Sequence, residues 1–165
     1  MSGPVLTFRE LLDYTAAETA RWEAYFRADP EALAVPYADG VMATVGGLVR
    51  HVFAVELRHA RRLLGQPVPG YEAVPEGPAD ALFEAGRAAR AEFERVLAGL
   101  APADLDAVIE FDTLTAGRQR ATRRKLAAHV LVHGVRHWAQ LAAHLRAHGR
   151  PTGWGHDLLL SDALA

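Results

Sequence analysis

The sequence predicts an all-α fold: an antiparallel four-helix bundle of the up-down-down-up type, with a short irregular or hairpin insertion before the last long helix. Three observations carry this expectation. Four stretches of about 20 residues repeat apolar side chains at helical spacing. Proline- and glycine-rich connections separate them. Between residues 101 and 124 the helical pattern gives way to two short apolar, threonine-bearing pieces about Ala116-Gly117.

The first helix starts near Thr7 or Phe8, with Thr7 as N-cap and Glu10 at the capping-box spacing. Leu11, Leu12, Thr15, Ala16, Thr19, Trp22 and Phe26 form its apolar stripe, and Asp29-Pro30 ends it. Residues 31–40 hold Pro36, Asp39 and Gly40 and read as a loop. The second helix spans about 44–64 and is closed by Gly65 and Pro67, with Leu48, Val52, Val55, His59 and Leu63 inside and His51 at the margin of that face. Residues 66–79 are a proline-rich connection. A third helix fits 78–100, with Leu82, Phe83, Gly86, Ala89, Phe93, Val96 and Leu97 on one side.

Val108, Ile109, Phe111 and Leu114, with Thr113 and Thr115, read as two extended pieces, Asp112 and Thr113 alternatively falling in an irregular loop. Thr122 then caps a fourth helix that runs to His148 and stops at Gly149 and Pro151. The tail, with Trp154 and Asp157-Leu-Leu-Leu, is expected to pack back on the body as a short helix or strap.

A chain of 165 residues, 50% hydrophobic and 23% charged, is expected to form one domain over 1–165 with a real core. Its net charge of −2 argues against nucleic acid as a partner, and the basic run from Arg118 to Lys125 reads as a solvated lead into a helix. The opening MSGPVLTFRELLDY lacks the basic and apolar regions of a signal peptide, and no segment reaches the ~18 apolar residues of a membrane span. A cytoplasmic protein that engages no membrane is the expectation. There is no cysteine, which leaves histidine and carboxylate as the strong metal ligands.

The fourth helix carries the chemistry. His129, His133, His137, His144 and His148 fall at roughly 0, 40, 80, 60 and 100° around it, on one stripe flanking the apolar face of Ala127, Val130, Trp138, Leu141 and Leu145. His133 and His137 lie one turn apart, where two imidazoles can converge on one ion. His144 and His148 sit near the helix end, where cationic histidines complement the dipole. His129 reads as ligand, orienting partner or packed side chain. His51 is the best candidate for a third ligand, provided that the second helix packs beside the fourth. Gln140 is placed to orient a ligand imidazole. Glu56 and Asp112 are possible carboxylate ligands or bases, His59 belongs to core or rim, and His156 has no assignment. Gly134, costing roughly 1 kcal/mol against alanine in a helix, reads as room for a neighbouring helix or ligand to approach.

Three imidazoles without thiolate suit one divalent ion, Zn, Ni or Fe, and leave positions open for water or substrate. Leu48-Val49-Arg50-His51 on the second helix, the glycine-bearing stretch before the fourth, and His133-Gly134-Val135-Arg136-His137-Trp138-Ala139-Gln140 together resemble the DinB superfamily of bacterial four-helix-bundle metalloproteins. The resemblance covers nearly the whole chain. It implies a metal triad of His51, His133 and His137, with His129 and Gln140 as cleft-lining or orienting residues. Many relatives carry His-His-Arg-Gly-Gln where this chain has Arg136-His137-Trp138-Ala139-Gln140, so the ligand and glutamine stay while their neighbours differ. Some relatives are thiol S-transferases that use bacillithiol or mycothiol, and others are mycothiol-dependent maleylpyruvate isomerases; many dimerise. The expectation is therefore a metal-dependent enzyme that transfers a low-molecular-weight thiol to a small electrophile. Metal-assisted hydrolysis, and a metal-containing stress-response or binding protein without turnover, are the alternatives. A small-molecule substrate and a homodimer are the expected partners.

Overall fold

Local signals place the helix ends. The computed structural model describes residues 6–113 and 116–161. Helix α1 (Phe8–Ala28) begins with the expected reciprocal cap: Glu10 N–H donates to Thr7 Oγ1 at 3.2 Å, and Thr7 N–H donates to the Glu10 carboxylate at 2.6 Å. Two 3₁₀ turns, Pro30–Ala34 and Gly40–Met42, fill the connection to α2 (Val45–Leu63), whose N-cap Thr44 accepts from Gly47 N–H. Gly65 closes α2 in the left-handed region at φ 65°. Helix α3 (Ala79–Gly99) starts directly after Pro78, and α4 (Pro102–Leu105) is one turn.

The stretch before the last long helix is a hairpin. Strands β1 (Val108–Thr113) and β2 (Gly117–Thr122) pair antiparallel, Val108 opposite Thr122 and Thr113 opposite Gly117. Asp112 and Thr113 thus belong to a strand; the expected Leu114 and Thr115 lie outside the described residues. Thr122 ends β2 and caps α5 (Arg123–Ala147), accepting from Lys125 N–H at 3.1 Å.

The described residues are mostly helical, and the four long helices touch in a ring. Contacts along each pair fix its direction. Arg27 at the end of α1 pairs with Asp80 at the start of α3, and Arg9 with Glu94 at the opposite ends, so the two are antiparallel. Phe53 meets Phe83 and Arg61 meets Glu92, so α2 and α3 run parallel. Phe53 meets Trp138 while His59 meets His129, so α2 and α5 are antiparallel.

The core divides in two. One cluster gathers Trp22, Phe26, Leu48, Phe53, Phe83, Trp138 and Leu145; the other gathers Leu12, Leu63, Phe93, Val96, Val130 and Leu131. On each helix the buried residues between the clusters are polar or small. Buried Glu56 holds Arg90, which also donates to Thr15 Oγ1 (2.8 Å) and the Leu12 carbonyl (3.1 Å), tying α1, α2 and α3 together. On α5 the same interval, between Leu131 and Trp138, holds His133, Gly134 and His137.

The tail straps back across α1. His156 stacks on Trp22, with Nδ1 2.8 Å from the buried Glu18 carboxylate and Nε2 2.9 Å from Thr152 Oγ1. His156 is therefore a clamp for the tail. No helix among the described residues is long and apolar enough to cross a membrane.

Candidate metal centre

His133 and His137 project from successive turns of α5, and antiparallel α2 brings His51 against them. The Nε2 atoms of His51 and His137 each lie 3.0 Å from Nε2 of His133. One ligand atom from each residue falls within 4.8 Å of the other two, a group able to hold a metal ion. His137 is buried at 5% exposure, and His51 and His133 are half-buried.

The donor chemistry fits a cation. A neutral Nε2 is either a donor or an acceptor, so His133 cannot satisfy its two neighbours by both donating and accepting. His51 Nδ1 lies 2.7 Å from Tyr71 Oη, and in the tautomer with the proton on Nδ1 it donates there and turns the Nε2 lone pair toward His133. One positive ion among the three Nε2 atoms lets all three present lone pairs. Burial keeps them neutral: it lowers the His51 pKa to about 4, helped by His137 and Arg136, and that of His133 to about 2, helped by its histidine neighbours. His137 is lowered too, by burial and then by Arg136.

Neighbouring residues fix the rings. Arg50, next to His51, donates from Nε to the Val74 carbonyl at 2.7 Å and from Nη2 to the Tyr71 carbonyl at 3.0 Å, so it holds the segment that delivers Tyr71. Gln140 sits close enough to His137 to favour its protonated form, yet the buried His137 Nδ1 has no well-formed hydrogen bond. Gln140 itself is exposed and lies outside the wall of the adjoining cavity.

That cavity, about 430 Å³, opens beside the three histidines. Its wall includes His129, whose ring centre is 5.5 Å from that of His133, and buried His59, 5.4 Å from His129. Burial, then Arg62, lowers the His59 pKa to about 3. Arg58, Arg62, Arg136 and Tyr71 complete the polar wall.

Several expectations need correction. The Glu56 carboxylate is held by Arg90 on the α3 side and is no ligand. Asp112 offers its main-chain carbonyl to Arg62 and stands outside the cavity wall. Gly134 makes no close approach: a Cβ there would meet nothing within 4 Å. His144 and His148, read from the sequence as helix-end residues, need no correction: His144 lies 2.7 Å from the Pro36 carbonyl and packs on Tyr37, His148 folds onto the His144 carbonyl, and both are away from the cavity. Sequence reasoning missed Tyr71 and the three arginines. Only their side of α2 and α5 marks the arginines, and nothing in the sequence marks Tyr71, because the 66–78 connection carries no period.

No curated protein matches the chain. The sequence model of the DinB superfamily matches residues 16–141, a span that contains all three clustered histidines, the whole of α2 and most of α5. With that span covering most of its length, the chain belongs to the DinB superfamily.

Proposed function

We propose that this chain is a cytoplasmic metal-dependent enzyme, one domain over 1–165 built as an up-down-down-up four-helix bundle. His51, His133 and His137 bind one divalent ion, Zn, Ni or Fe, through their Nε2 atoms. Its reaction is the transfer of a low-molecular-weight thiol, of the bacillithiol or mycothiol kind, to a small electrophile. The observation that carries this reading is the convergence of three Nε2 atoms at the wall of an open cavity. A closed structural site would instead be completed by a fourth side chain. When bound, the ion would supply Lewis acidity that keeps a thiol deprotonated at neutral pH or lowers the pKa of water to about 7.

The chain's own residues do the rest. It has no cysteine, so the thiol must enter from outside. Tyr71 orients His51, and Gln140 lies nearest to do the same for His137. Arg136 and Arg58 supply fixed positive charge that favours an anionic nucleophile in the cavity. His129 and His59 add no competing charge near neutral pH, since burial lowers both pKa values. The homodimer belongs to the same proposal and is tested by sedimentation.

The functional test combines metal-loaded protein, a panel of small thiols and an electrophilic acceptor. The expected rate disappears on chelation, returns with metal and falls when His137 becomes alanine. No rate above that of free metal rejects the transferase. A metal-dependent rate without thiol identifies a hydrolase, and no turnover at all leaves a metal-containing binding protein.

A further inference from the structure

The cavity beside the three histidines has a charge unlike the rest of the molecule. The chain is net −2, yet the cavity wall carries Arg58, Arg62 and Arg136 and no carboxylate. Elsewhere on α2 the arginines are neutralised, Arg50 by Glu76 and Arg61 by Glu92 at 2.6 Å. Among the described residues, no carboxylate lies within ion-pair distance of the three cavity arginines. The direct contacts of Arg58 and Arg62 are with neutral groups: Arg58 with the Pro69 carbonyl and the Tyr71 ring, Arg62 with the Asp112 carbonyl at 2.8 Å, His59 Nδ1 at 3.3 Å and the Phe111 ring, the Asp112 carboxylate acting on Arg62 only beyond ion-pair distance. Arg62 Nε is buried without a hydrogen-bond partner. Fixed guanidiniums with spare donors, in a concave site without acid, are what an oxyanion requires.

We infer that this cavity is an oxyanion subsite, in which Arg58, Arg62 and Arg136 hold the carboxylate or phosphate of a small ligand whose other end reaches the histidines. The inference rests on the proposed metal site for what the other end meets, but not on turnover. It also accounts for a cation site in positive surroundings: the anion offsets the arginines, so metal and anionic ligand should bind with positive coupling.

The test uses the cobalt-loaded protein, whose visible absorption reports a sulfur bound to the ion. β-Mercaptopropionate and mercaptopropanol, alike in size and differing in the tail charge, are titrated in parallel. The acid should bind at least about tenfold tighter, as one or two charge-assisted hydrogen bonds provide. The gap should close to within about twofold in an Arg58→Gln, Arg136→Gln double variant, shrink in Arg136→Gln alone, and persist in Arg146→Gln, which lies outside the cavity. Equal affinity of the two thiols for the native protein overturns the inference. If neither thiol binds, the thiol-transfer reading fails and the subsite is judged on the metal-free, isotope-labelled protein. Saturable shifts of the Arg62 Nε–H resonance on adding propionate or ethylphosphonate then support it, the stronger of the two naming the oxyanion. Unmoved resonances refute it.

Discussion

His51 engages both ring nitrogens, Nδ1 with Tyr71 and Nε2 with His133, and this double constraint is what makes a surface-margin histidine a candidate ligand. The hydroxyl fixes which nitrogen faces the centre, as partners of metal-bound imidazoles do. Replacing His133, the ring that touches both others, by alanine should abolish tight zinc binding in a competition titration with a chromophoric chelator. Tyr71→Phe keeps the ring and loses the hydroxyl, and should weaken zinc by about 10–100-fold. Gln140→Ala should cost no more than that, because its hold on His137 is incomplete. Equal losses from His133→Ala and Gln140→Ala would reverse their roles. The histidines were legible one by one because i, i+4 spacing is a local property. Tyr71 was not, since its position depends on Arg50 gripping main-chain carbonyls of a connection without periodicity.

Two glycines show where helix packing is tight and where it is not. Gly86 on α3 faces Phe53 of α2, and a Cβ there would stand 2.7 Å from the ring, so only glycine lets these parallel helices approach so closely. Gly134 on α5 has the opposite surroundings, with nothing within 4 Å of an added Cβ. Gly86→Ala should therefore destabilise the protein by about 1–3 kcal/mol through overpacking. Gly134→Ala should stabilise it by up to about 1 kcal/mol and leave zinc affinity unchanged. Urea denaturation of the two variants checks both signs, and a destabilised Gly134→Ala would restore a packing role for that glycine. Sequence period located all four long helices, and the caps at Thr7 and Thr122 set their starts to the residue. It could not separate a glycine that admits a neighbour from one that is merely tolerated, because that depends on which helix lies opposite. The hairpin was half legible: its apolar and threonine residues marked extended chain, while the pairing that draws Asp112 and Thr113 into β1 is a contact with β2.

Across the whole molecule, interior histidines set the response to acid. The folded pKa values of His51, His59 and His133, about 4, 3 and 2, lie below the ordinary 6.5. Below pH 6.5 the unfolded chain therefore binds more protons, so their contribution is complete above that pH and is lost as the pH falls. The urea midpoint of metal-free protein should drop between about pH 7 and 5, ahead of the carboxylate range. A midpoint that rises over that interval would contradict neutral, desolvated histidines. Metal affinity of the folded protein should hold over that interval and weaken only toward about pH 4, where protons begin to compete for the His51 Nε2 lone pair. All these expectations depend on one ion held by three histidines. X-ray absorption at the zinc edge, on protein purified without an affinity tag and given one equivalent of zinc, tests that most directly. About three imidazole nitrogens at ~2.0–2.1 Å and one exchangeable water oxygen are expected. A shell of water or carboxylate oxygens without imidazole scattering, or zinc that washes away on desalting, would contradict it.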